Sequence, residues 1–407
     1  MKIAHVMRRL SFGDWGGTEQ VVWNLAKAQK AAGHEVRIFA TTALCATPHE
    51  VVDGLEIFRF RPIYPWWPMP KPIVAELDRK GGNPFVPGLG KALREWRPDV
   101  IHCHAMARIA ELCLRTARSV GAKSVISLHG GGANIPGVEA KSLKAPTRGR
   151  LPWGKMIDYA LGWTRRIPED ADGIVCVGED EAEKYKTRHP HVLFLPNGVD
   201  VGLFKDVASN RSPFPVPHSP FPVPHSPFPL LCVARIDRQK NQMALVEALA
   251  RHPGVNLRLV GPVTQPDYLD ELKARAEALG VSGRVAFVGS LGPGSPELLA
   301  EYARADAFAL ASRHEPFGIV VLEAWAAGLP VVASDVGGLG RLCAAHPDAA
   351  ITFAHDRPES LDAALDELRR RVESGEAAAM SAAGRRAAAE YDWSNLSARL
   401  VGFYAEI

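Results

Sequence analysis

The stretch 306–334, DAFALASRHEPFGIVVLEAWAAGLPVVAS, constrains the fold of this chain more than any other. Its hydrophobic pattern predicts a short buried strand at 306–311, a helix at 318–327 and a second buried strand at 329–334. Gly328 is typical of the residue that closes a helix. Two buried strands joined by a helix form a β-α-β unit, so this part of the chain is predicted to fold as an α/β protein.

A carboxylate lies in the loop of this unit and another lies in its helix. Glu315 precedes the turn Pro316-Phe317-Gly318, and Glu323 follows one to two helical turns inside the helix, so both can reach one crevice. Backbone N–H groups at a helix start suit a phosphate. The pattern therefore predicts a sugar-nucleotide site, in which the carboxylates bind the sugar hydroxyls and the backbone amides bind the phosphates. The alternative is a solvated loop acid and an exposed helix acid, because glutamate is mostly exposed.

The string EPFGIVVLE, which leads into AAGLPVVASDVGG, strongly resembles the retaining glycosyltransferases of the GT-B fold, family 4. In that family the first glutamate contacts the donor sugar and the second contacts the ribose hydroxyls. The resemblance implies these roles for Glu315 and Glu323. It also implies that the amides of Phe317, Gly318 and Ile319 lie near the diphosphate.

Two cations follow the strand predicted at 230–234, in the loop RIDRQKN. Arg235 and Lys240 could neutralise a diphosphate leaving group without a metal, although surface basic residues are the simpler interpretation of such a pair. The family has an R-x4-K pair in this position, so the resemblance implies that Arg235 and Lys240 contact the diphosphate. Arg238 in the same loop has no assignment.

The first loop of the chain, RRLSFGDWGGTEQ, is rich in glycine but lacks the G-x-G-x-x-G dinucleotide fingerprint. Gly16 and Gly17 stand at a helix start, where backbone can approach a phosphate or a sugar, and a plain helix-capping turn is the alternative. The family carries a GG-x-E loop here that faces the donor phosphates and the sugar acceptor. The resemblance thus assigns Gly16 and Gly17 to donor binding.

Histidines mark the carboxyl ends of two predicted strands, 99–104 and 124–129, where open α/β sheets bind ligands. His102 and His104 alternate with apolar residues, and His102 is interpreted as a core histidine. His129 opens the loop HGGGAN. Family members have a functional histidine near the donor sugar at this strand end, so the resemblance assigns that role to His129. A hydrolase oxyanion loop is excluded because no G-x-S-x-G elbow occurs in the chain.

The length of 407 residues predicts two domains, and the resemblance implies a GT-B fold with two Rossmann-like domains facing across a cleft. The expected divisions are an acceptor-binding domain at 1–205, a linker at 206–229 and a nucleotide-sugar-binding domain at 230–392. The last helix, 393–407, is expected to cross back to the first domain. The linker holds SPFPVPH twice in tandem, a proline density that forbids helix and sheet.

Net charge and cysteine content limit the class of binding partner and the cellular compartment that the sequence predicts. The net charge of +3 is too small to indicate nucleic acid, and six scattered cysteines predict buried thiols in a cytoplasmic protein rather than disulfides or a zinc site. No window has eighteen apolar residues. The segment 141–166 holds seven basic residues among apolar ones, which predicts either peripheral contact with the inner face of a membrane or an ordinary amphipathic helix.

The function expected from the resemblance is transfer of a sugar from a nucleotide-sugar donor to a hydroxyl of a glycan, lipid-linked or small-molecule acceptor, with retention of configuration. Cell-surface polysaccharide or glycoconjugate biosynthesis is the expected setting. No cofactor and no metal are expected, because the cations Arg235 and Lys240 could neutralise the diphosphate. Two alternatives stay open: an isomerase of the sugar-nucleotide 2-epimerase type, and a catalytically silent sugar-nucleotide-binding protein.

Overall fold

The computed structural model describes residues 1–12, 16–129, 149–163, 167–205, 207 and 228–407. They form two compact units, one comprising Met1–Pro196 with Trp393–Ile407 and the other comprising Asn197–Asp392. The first unit thus ends at Pro196, whereas the sequence analysis extended the first domain to 205. The duplicated SPFPVPH segment lies outside the described residues.

The first unit is built on an eight-stranded sheet. Its strands, in chain order, are β1 (Lys2–Arg9), β2 (Glu35–Thr41), β3 (His49–Val52), β4 (Leu55–Phe60), β5 (Val100–Cys103), β6 (Lys123–Leu128), β7 (Gly173–Cys176) and β8 (Val192–Phe194). Its helices up to the end of β8 are α1 (Gly17–Ala31), α2 (Lys71–Lys80), α3 (Leu89–Trp96), α4 (Arg108–Val120), α5 (Gly154–Ala160) and α6 (Glu179–Lys186). The spatial order is β3-β4-β2-β1-β5-β6-β7-β8, and all pairs are parallel except β3 with β4.

The second unit is built on a six-stranded parallel sheet, in the order β11-β10-β9-β12-β13-β14. Its strands are β9 (Phe228–Val233), β10 (Val255–Val260), β11 (Val285–Gly289), β12 (Ala307–Leu310), β13 (Val331–Ser334) and β14 (Ala350–Phe353). Its helices are α7 (Val201–Phe204), α8 (Gln242–Ala248), α9 (Pro266–Ala278), α10 (Pro296–Arg304), α11 (Ile319–Ala326), α12 (Gly337–Ala345), α13 (Pro358–Ser374) and α14 (Ala377–Glu390), with a 3-10 turn at Ser282–Arg284. The predicted β-α-β unit is confirmed as β12, α11 and β13.

The last helix, α15 (Trp393–Glu406), belongs to the first unit, as predicted. It buries Trp393, Leu396, Leu400 and Phe403 in the same core cluster as the inner face of α1. The apolar residues recur every three or four positions, which gives the helix one continuous face to bury.

The alanine-rich stretch 358–390 forms two helices, α13 and α14, because Gly375 with φ of 82° ends the first of them in the left-handed region.

One expectation about local structure is wrong. The predicted linker extends two residues too far, since β9 begins at Phe228. Pro229 fits this strand because its carbonyl accepts a hydrogen bond from the Asp306 N–H at 2.9 Å.

The strand orders locate where ligands are expected to bind. The order reverses between β1 and β5 in the first sheet and between β9 and β12 in the second. Loops at such a reversal leave the sheet in opposite directions and open a crevice at the carboxyl ends of the strands. The loops after β1, β9 and β12 carry most of the residues singled out by the sequence. No helix among the described residues is both long and apolar enough to cross a membrane.

Candidate functional site

Three loops meet at the carboxyl ends of β9, β12 and β13 in the second unit. The Arg313 N–H donates to the carbonyl of Gln239 at 2.8 Å, which joins the second loop to the first. The Gly338 N–H donates to the carbonyl of Glu315 at 3.0 Å, which joins the third loop to the second. Backbone contacts therefore fix where Lys240, at the end of the first loop, lies relative to Glu315.

Glycine is required where the third loop packs on the second. A Cβ at position 338 would lie 1.8 Å from the carbonyl oxygen of Pro316, a distance that no side chain tolerates. Gly337 has φ of 53°, and a Cβ there would lie 2.8 Å from the carbonyl oxygen of Glu315. The backbone that carries Glu315 is thus held by direct contact with a second stretch of backbone.

Lys240 and Glu315 form the charged centre of this site. Lys240 Nζ lies 2.6 Å from Glu315 Oε2, and the two side chains are only 13% and 12% exposed. Asp237 shapes the loop before Lys240, since its Oδ1 accepts from the backbone N–H groups of Gln239 and Lys240 at 2.9 and 3.2 Å. Both members of the pair are predicted site residues, but the sequence does not predict that they contact each other.

The two arginines of the same loop differ from Lys240. Arg235 keeps 53% of its side chain exposed, with Nη2 3.4 Å from Asp237 Oδ2, so it is available at the solvent side of the site. Arg238 forms hydrogen bonds with Asp267 at 2.8 Å and with Glu271 at 2.5 and 2.7 Å. These acids belong to α9, so Arg238 ties the loop to that helix.

The start of α11 supplies backbone donors next to the ion pair. Gly318 precedes the helix with φ of 94°, a conformation that favours glycine, and a Cβ there would lie 2.8 Å from Leu339 Cδ1. Val321 N–H donates to the carbonyl of Gly318 at 2.9 Å, whereas the N–H of Ile319, at the first helical position, precedes any such intrahelical bond. Phe317 packs edge-on against Tyr391, with 5.9 Å between ring centroids.

Glu323 lies on α11, and its carboxylate is held by a tyrosine. The Tyr302 hydroxyl donates to Glu323 Oε2 at 2.6 Å, and Tyr302 is fully buried in α10. Burial raises the pKa of Glu323 above its ordinary value, against the lowering effect of that hydrogen bond. Sequence reasoning missed Tyr302, since a tyrosine among apolar helix residues is typical of a core position.

Gly16 and Gly17 stand at the start of α1 in the first unit, as N-cap and first helical residue. Glu19 turns back over them: its Oε2 would lie 2.5 Å from a Cβ at position 16. The same carboxylate accepts from Arg9 Nε at 3.0 Å. The GGTE motif thus places a glutamate paired with arginine directly over its glycine backbone.

The histidines at the strand ends form a buried network. His102 is a core histidine, as predicted: Nδ1 lies 2.5 Å from the Tyr404 hydroxyl and Nε2 lies 2.7 Å from Ser127 Oγ. His104 reaches the half-buried His129, with Nδ1 3.2 Å from His129 Nε2. Burial lowers the pKa of His129 to about 4 and holds the pKa of His104 well below its ordinary range. The loop that follows His129, 130–148, lies outside the described residues.

His5, His102 and His104 bring ring nitrogens within 4.8 Å of one another, which is close enough to consider a metal ion. Both nitrogens of each ring already make hydrogen bonds, to Gln29, Tyr404, Ser127, His129 or each other. A metal would have to replace those bonds. The cluster is accordingly a hydrogen-bonded network.

The predicted site residues divide between the two units. The second unit brings together Arg235, Lys240, Glu315, Phe317, Gly318, Ile319 and Glu323. The first unit holds Gly16, Gly17 and His129. In each unit these residues lie at the carboxyl end of the parallel strands or on a helix that starts there.

Comparison with known proteins finds relatives that match both units. Residues 15–203 match the family model described as Glycosyltransferase Family 4, and residues 218–386 match Glycosyl transferases group 1. The chain is 30% identical to the D-inositol 3-phosphate glycosyltransferase 1 of Catenulispora acidiphila and 28% identical to the glycogen synthase of Mycobacterium tuberculosis, in both cases over 96% of this chain and 91% of the relative. Among solved structures, Anabaena HepE in complex with UDP matches over the full length of both chains, with a TM-score of 0.67 and 18% identity.

Proposed function

Since this chain belongs to glycosyltransferase family 4 and is a hexosyltransferase-type enzyme, we propose that it moves a sugar from a nucleotide donor to a hydroxyl, with retention of configuration. The observation that carries this proposal is the Lys240–Glu315 pair, which lies at a strand-order reversal beside the start of α11. A diphosphate and a sugar are the two halves of the donor, and this site offers a cation, amide donors and a carboxylate side by side.

The proposed chemistry breaks the bond between the anomeric carbon and the diphosphate oxygen. That oxygen keeps the electron pair, and the sugar acceptor's hydroxyl oxygen bonds to the anomeric carbon from the same face. The hydroxyl proton passes to the departing phosphate oxygen, so charges and atoms balance. Lys240, Arg235 and the N–H groups at Gly318 would stabilise the growing negative charge on the diphosphate. Glu315 would hold the sugar hydroxyls.

The second carboxylate, Glu323, would bind the ribose hydroxyls. Its Oε2 already accepts from Tyr302, which leaves Oε1 and the other lone pairs of the carboxylate for a ligand. We expect no divalent cation to be needed, because cationic side chains and amides supply the positive charge where the diphosphate would lie.

The proposed acceptor is a hydroxyl of a glycan, a lipid-linked sugar or a small polyol, in the synthesis of a cell-surface polysaccharide or glycoconjugate. The names of the relatives span this range, from glycogen to D-inositol 3-phosphate. A 2-epimerase-type isomerase would convert the sugar nucleotide to its epimer without any acceptor and without net release of nucleoside diphosphate, and a silent binding protein would leave the sugar nucleotide unchanged. Release of nucleoside diphosphate that depends on a sugar acceptor distinguishes the transferase from both.

Nucleotide binding is the first experimental test. The purified protein is expected to be stabilised by one of UDP, GDP, ADP and dTDP, because a ligand at 100 times its Kd raises the free energy of unfolding by about 2.7 kcal/mol. Glu323→Gln should abolish most of that shift in melting temperature, since the amide keeps the Tyr302 contact but loses the charge that ribose hydroxyls favour.

The matched control is Glu297→Gln, which neutralises an exposed acid on α10 of the same unit. Its melting temperature should respond to the nucleotide as the wild type does. If no nucleoside diphosphate stabilises the wild-type protein, the donor site is not functional and the proposal fails. If the shift survives Glu323→Gln, the nucleotide binds elsewhere.

A second surface of the first unit bears on the acceptor and the location of the enzyme. We propose that α5 and the chain before it contact an anionic membrane surface. Large apolar side chains here are strongly exposed: Tyr159 is 91% exposed, Met156 75%, Trp67 67% and Leu151 64%. Trp67 and Leu151 lie side by side, joined by two backbone hydrogen bonds of 3.1 and 3.0 Å.

The opposite face of α5 anchors it firmly to the unit. Arg108 donates from Nε and Nη2 to the two carboxylate oxygens of Asp158 at 2.8 and 2.7 Å, and both side chains are buried. Met156 and Tyr159 are therefore presented outwards by a fixed helix, beside Lys155 and within a segment that is basic in sequence. Exposed apolar side chains beside basic ones suit an interface that has acyl chains below anionic headgroups.

Vesicle binding tests this surface. The wild-type protein should cosediment with vesicles that contain phosphatidylglycerol and stay in solution with pure phosphatidylcholine. Met156→Ser combined with Tyr159→Ser should lower the bound fraction several-fold, since two apolar contacts are lost. Val51→Thr, at a residue of the same unit that is 58% exposed, is the control and should bind normally. Equal binding of all three proteins to the anionic vesicles would contradict the assignment. So would a wild-type protein that binds neither kind of vesicle.

A further inference from the structure

A chain of hydrogen bonds leads from α1 to His129 through the interior of the first unit. Gln29 Oε1 lies 2.7 Å from His5 Nε2, and His5 Nδ1 lies 2.9 Å from His104 Nε2. His104 Nδ1 in turn lies 3.2 Å from His129 Nε2. Gln29 and His5 are fully buried and His104 is 7% exposed, so only the His129 end reaches the carboxyl edge of the sheet.

The direction of this chain follows from its first member. An amide oxygen can only accept, so His5 must carry its proton on Nε2. A neutral imidazole has one N–H, which leaves His5 Nδ1 as an acceptor for a proton on His104 Nε2. The same step repeats once more. His104 Nδ1 accepts from His129 Nε2–H, and His129 Nδ1 keeps its lone pair.

This hydrogen-bond direction requires neutral imidazole rings, and burial keeps the rings neutral. Removal from water lowers the pKa of His5 to about 4, although the hydrogen bond that His5 donates to Gln29 opposes this effect. The same desolvation lowers the pKa of His129 to about 4. The ring of His102 fixes the plane of His104 by packing on it, with 4.1 Å between centroids. Each ring in the chain is therefore held both in charge state and in orientation.

We infer that Gln29, His5 and His104 are positioning residues that hold His129 as the neutral Nε2–H tautomer, with Nδ1 as a bare hydrogen-bond acceptor. This inference rests on the proposed function for its consequence. A bare nitrogen attracts a hydroxyl proton and repels a phosphate oxygen, so the partner of His129 is a hydroxyl of the sugar or of the sugar acceptor. The diphosphate then receives no hydrogen bond from His129.

The test reads the tautomer directly in the free protein. A long-range 1H–15N correlation spectrum of protein labelled in its histidine rings shows which nitrogen carries the proton, and His129→Gln identifies the signals of His129. At pH 7.5 the expected result is a protonated Nε2 and a bare Nδ1. A proton on Nδ1 alone would overturn the inference, because the hydrogen bonds from Gln29 to His129 would then have the opposite direction. Protons on both nitrogens would also overturn it, because His129 would be charged.

Variants at Gln29 separate positioning from a structural role. Gln29→Leu removes the oxygen that sets the direction, so His129 should populate both tautomers and kcat/KM for the nucleotide sugar should fall about tenfold. Gln29→Glu retains an oxygen acceptor and should restore the single tautomer and most of the activity. Gln20→Leu, on the same helix outside the chain, is the control. An unchanged tautomer in Gln29→Leu would overturn the inference.

Failure of the tautomer inference is distinguishable from failure of the proposed function. The spectrum needs no ligand, whereas the proposed function is tested by nucleotide stabilisation of the second unit. In Gln29→Leu, the shift in melting temperature caused by the nucleoside diphosphate should be unchanged while turnover falls. Loss of the nucleotide shift in the wild type would reject the donor site and leave the tautomer result standing.

Discussion

Lys240→Ala should lower kcat/KM by about a hundredfold, or roughly 2.7 kcal/mol of transition-state stabilisation, in line with the loss of one preorganised donor from a site of developing charge. The reason is the position of the ammonium group, which lies 2.6 Å from Glu315 and is only 13% exposed. Truncation removes the cation proposed to face the diphosphate. It also leaves the carboxylate of Glu315 without its counter-charge.

The neighbouring arginine supplies the matched control for that variant. Arg238→Ala removes the same charge from the same loop, but its partners are the surface acids Asp267 and Glu271. Its kcat/KM should stay within a few-fold of the wild type. A steady-state assay of nucleoside diphosphate release with both variants decides the matter, because equal losses would show a non-specific effect of charge. Wild-type kcat/KM in Lys240→Ala would reject the diphosphate assignment.

Acidification should destabilise the first unit more than an ordinary domain of its size. The pKa of His5 is about 4 in the folded protein and 6.5 when exposed, and those of His102 and His104 are also well below the ordinary value. Between these two pH values the unfolded chain binds more protons than the folded one, so stability present above pH 6.5 is lost as the pH falls towards 4. At pH 5, His5 alone lowers the free energy of unfolding by about 2 kcal/mol relative to its value above pH 6.5.

Urea unfolding followed by tryptophan fluorescence at pH 7.5 and pH 5 measures this loss. His5→Gln removes one titrating group, so its free energy of unfolding should fall less between the two pH values than that of the wild type, by about 2 kcal/mol. His49→Gln, at an exposed position of β3, should show the full wild-type loss. If all three proteins lose equal stability, other groups cause the acid sensitivity and the buried histidines do not.

Local pattern was enough to predict the centre of the second unit. Alternation of apolar runs with glycine and proline marks β12, α11 and β13, and the loop glutamate falls between them because strand ends carry the site in such folds. The spacing of Arg235 and Lys240 also predicted which loop would bring cations. What the pattern could not show is which cation is buried, since that depends on Asp237 and on contacts between separate loops.

The network in the first unit was beyond sequence reasoning for a related reason. Gln29 comes from α1, His5 from β1 and His104 from the loop directly after β5, and each resembles a satisfied core residue when taken alone. Only the register of the sheet, which sets His5 of β1 beside His102 of β5, brings the rings together. The break at Gly375 shows the opposite case, in which a single residue with positive φ outweighs a long stretch of good helix formers.

The Lys240–Glu315 contact also has a consequence for the end of the catalytic cycle. A lysine that faced only the diphosphate would be left bare in a poorly hydrated site when the product departed, and this would hold the product back. Here the ammonium group has the carboxylate of Glu315 at 2.6 Å without any ligand. The charge of Lys240 is therefore paired in the free enzyme. We expect that release of the nucleoside diphosphate does not limit the rate of turnover.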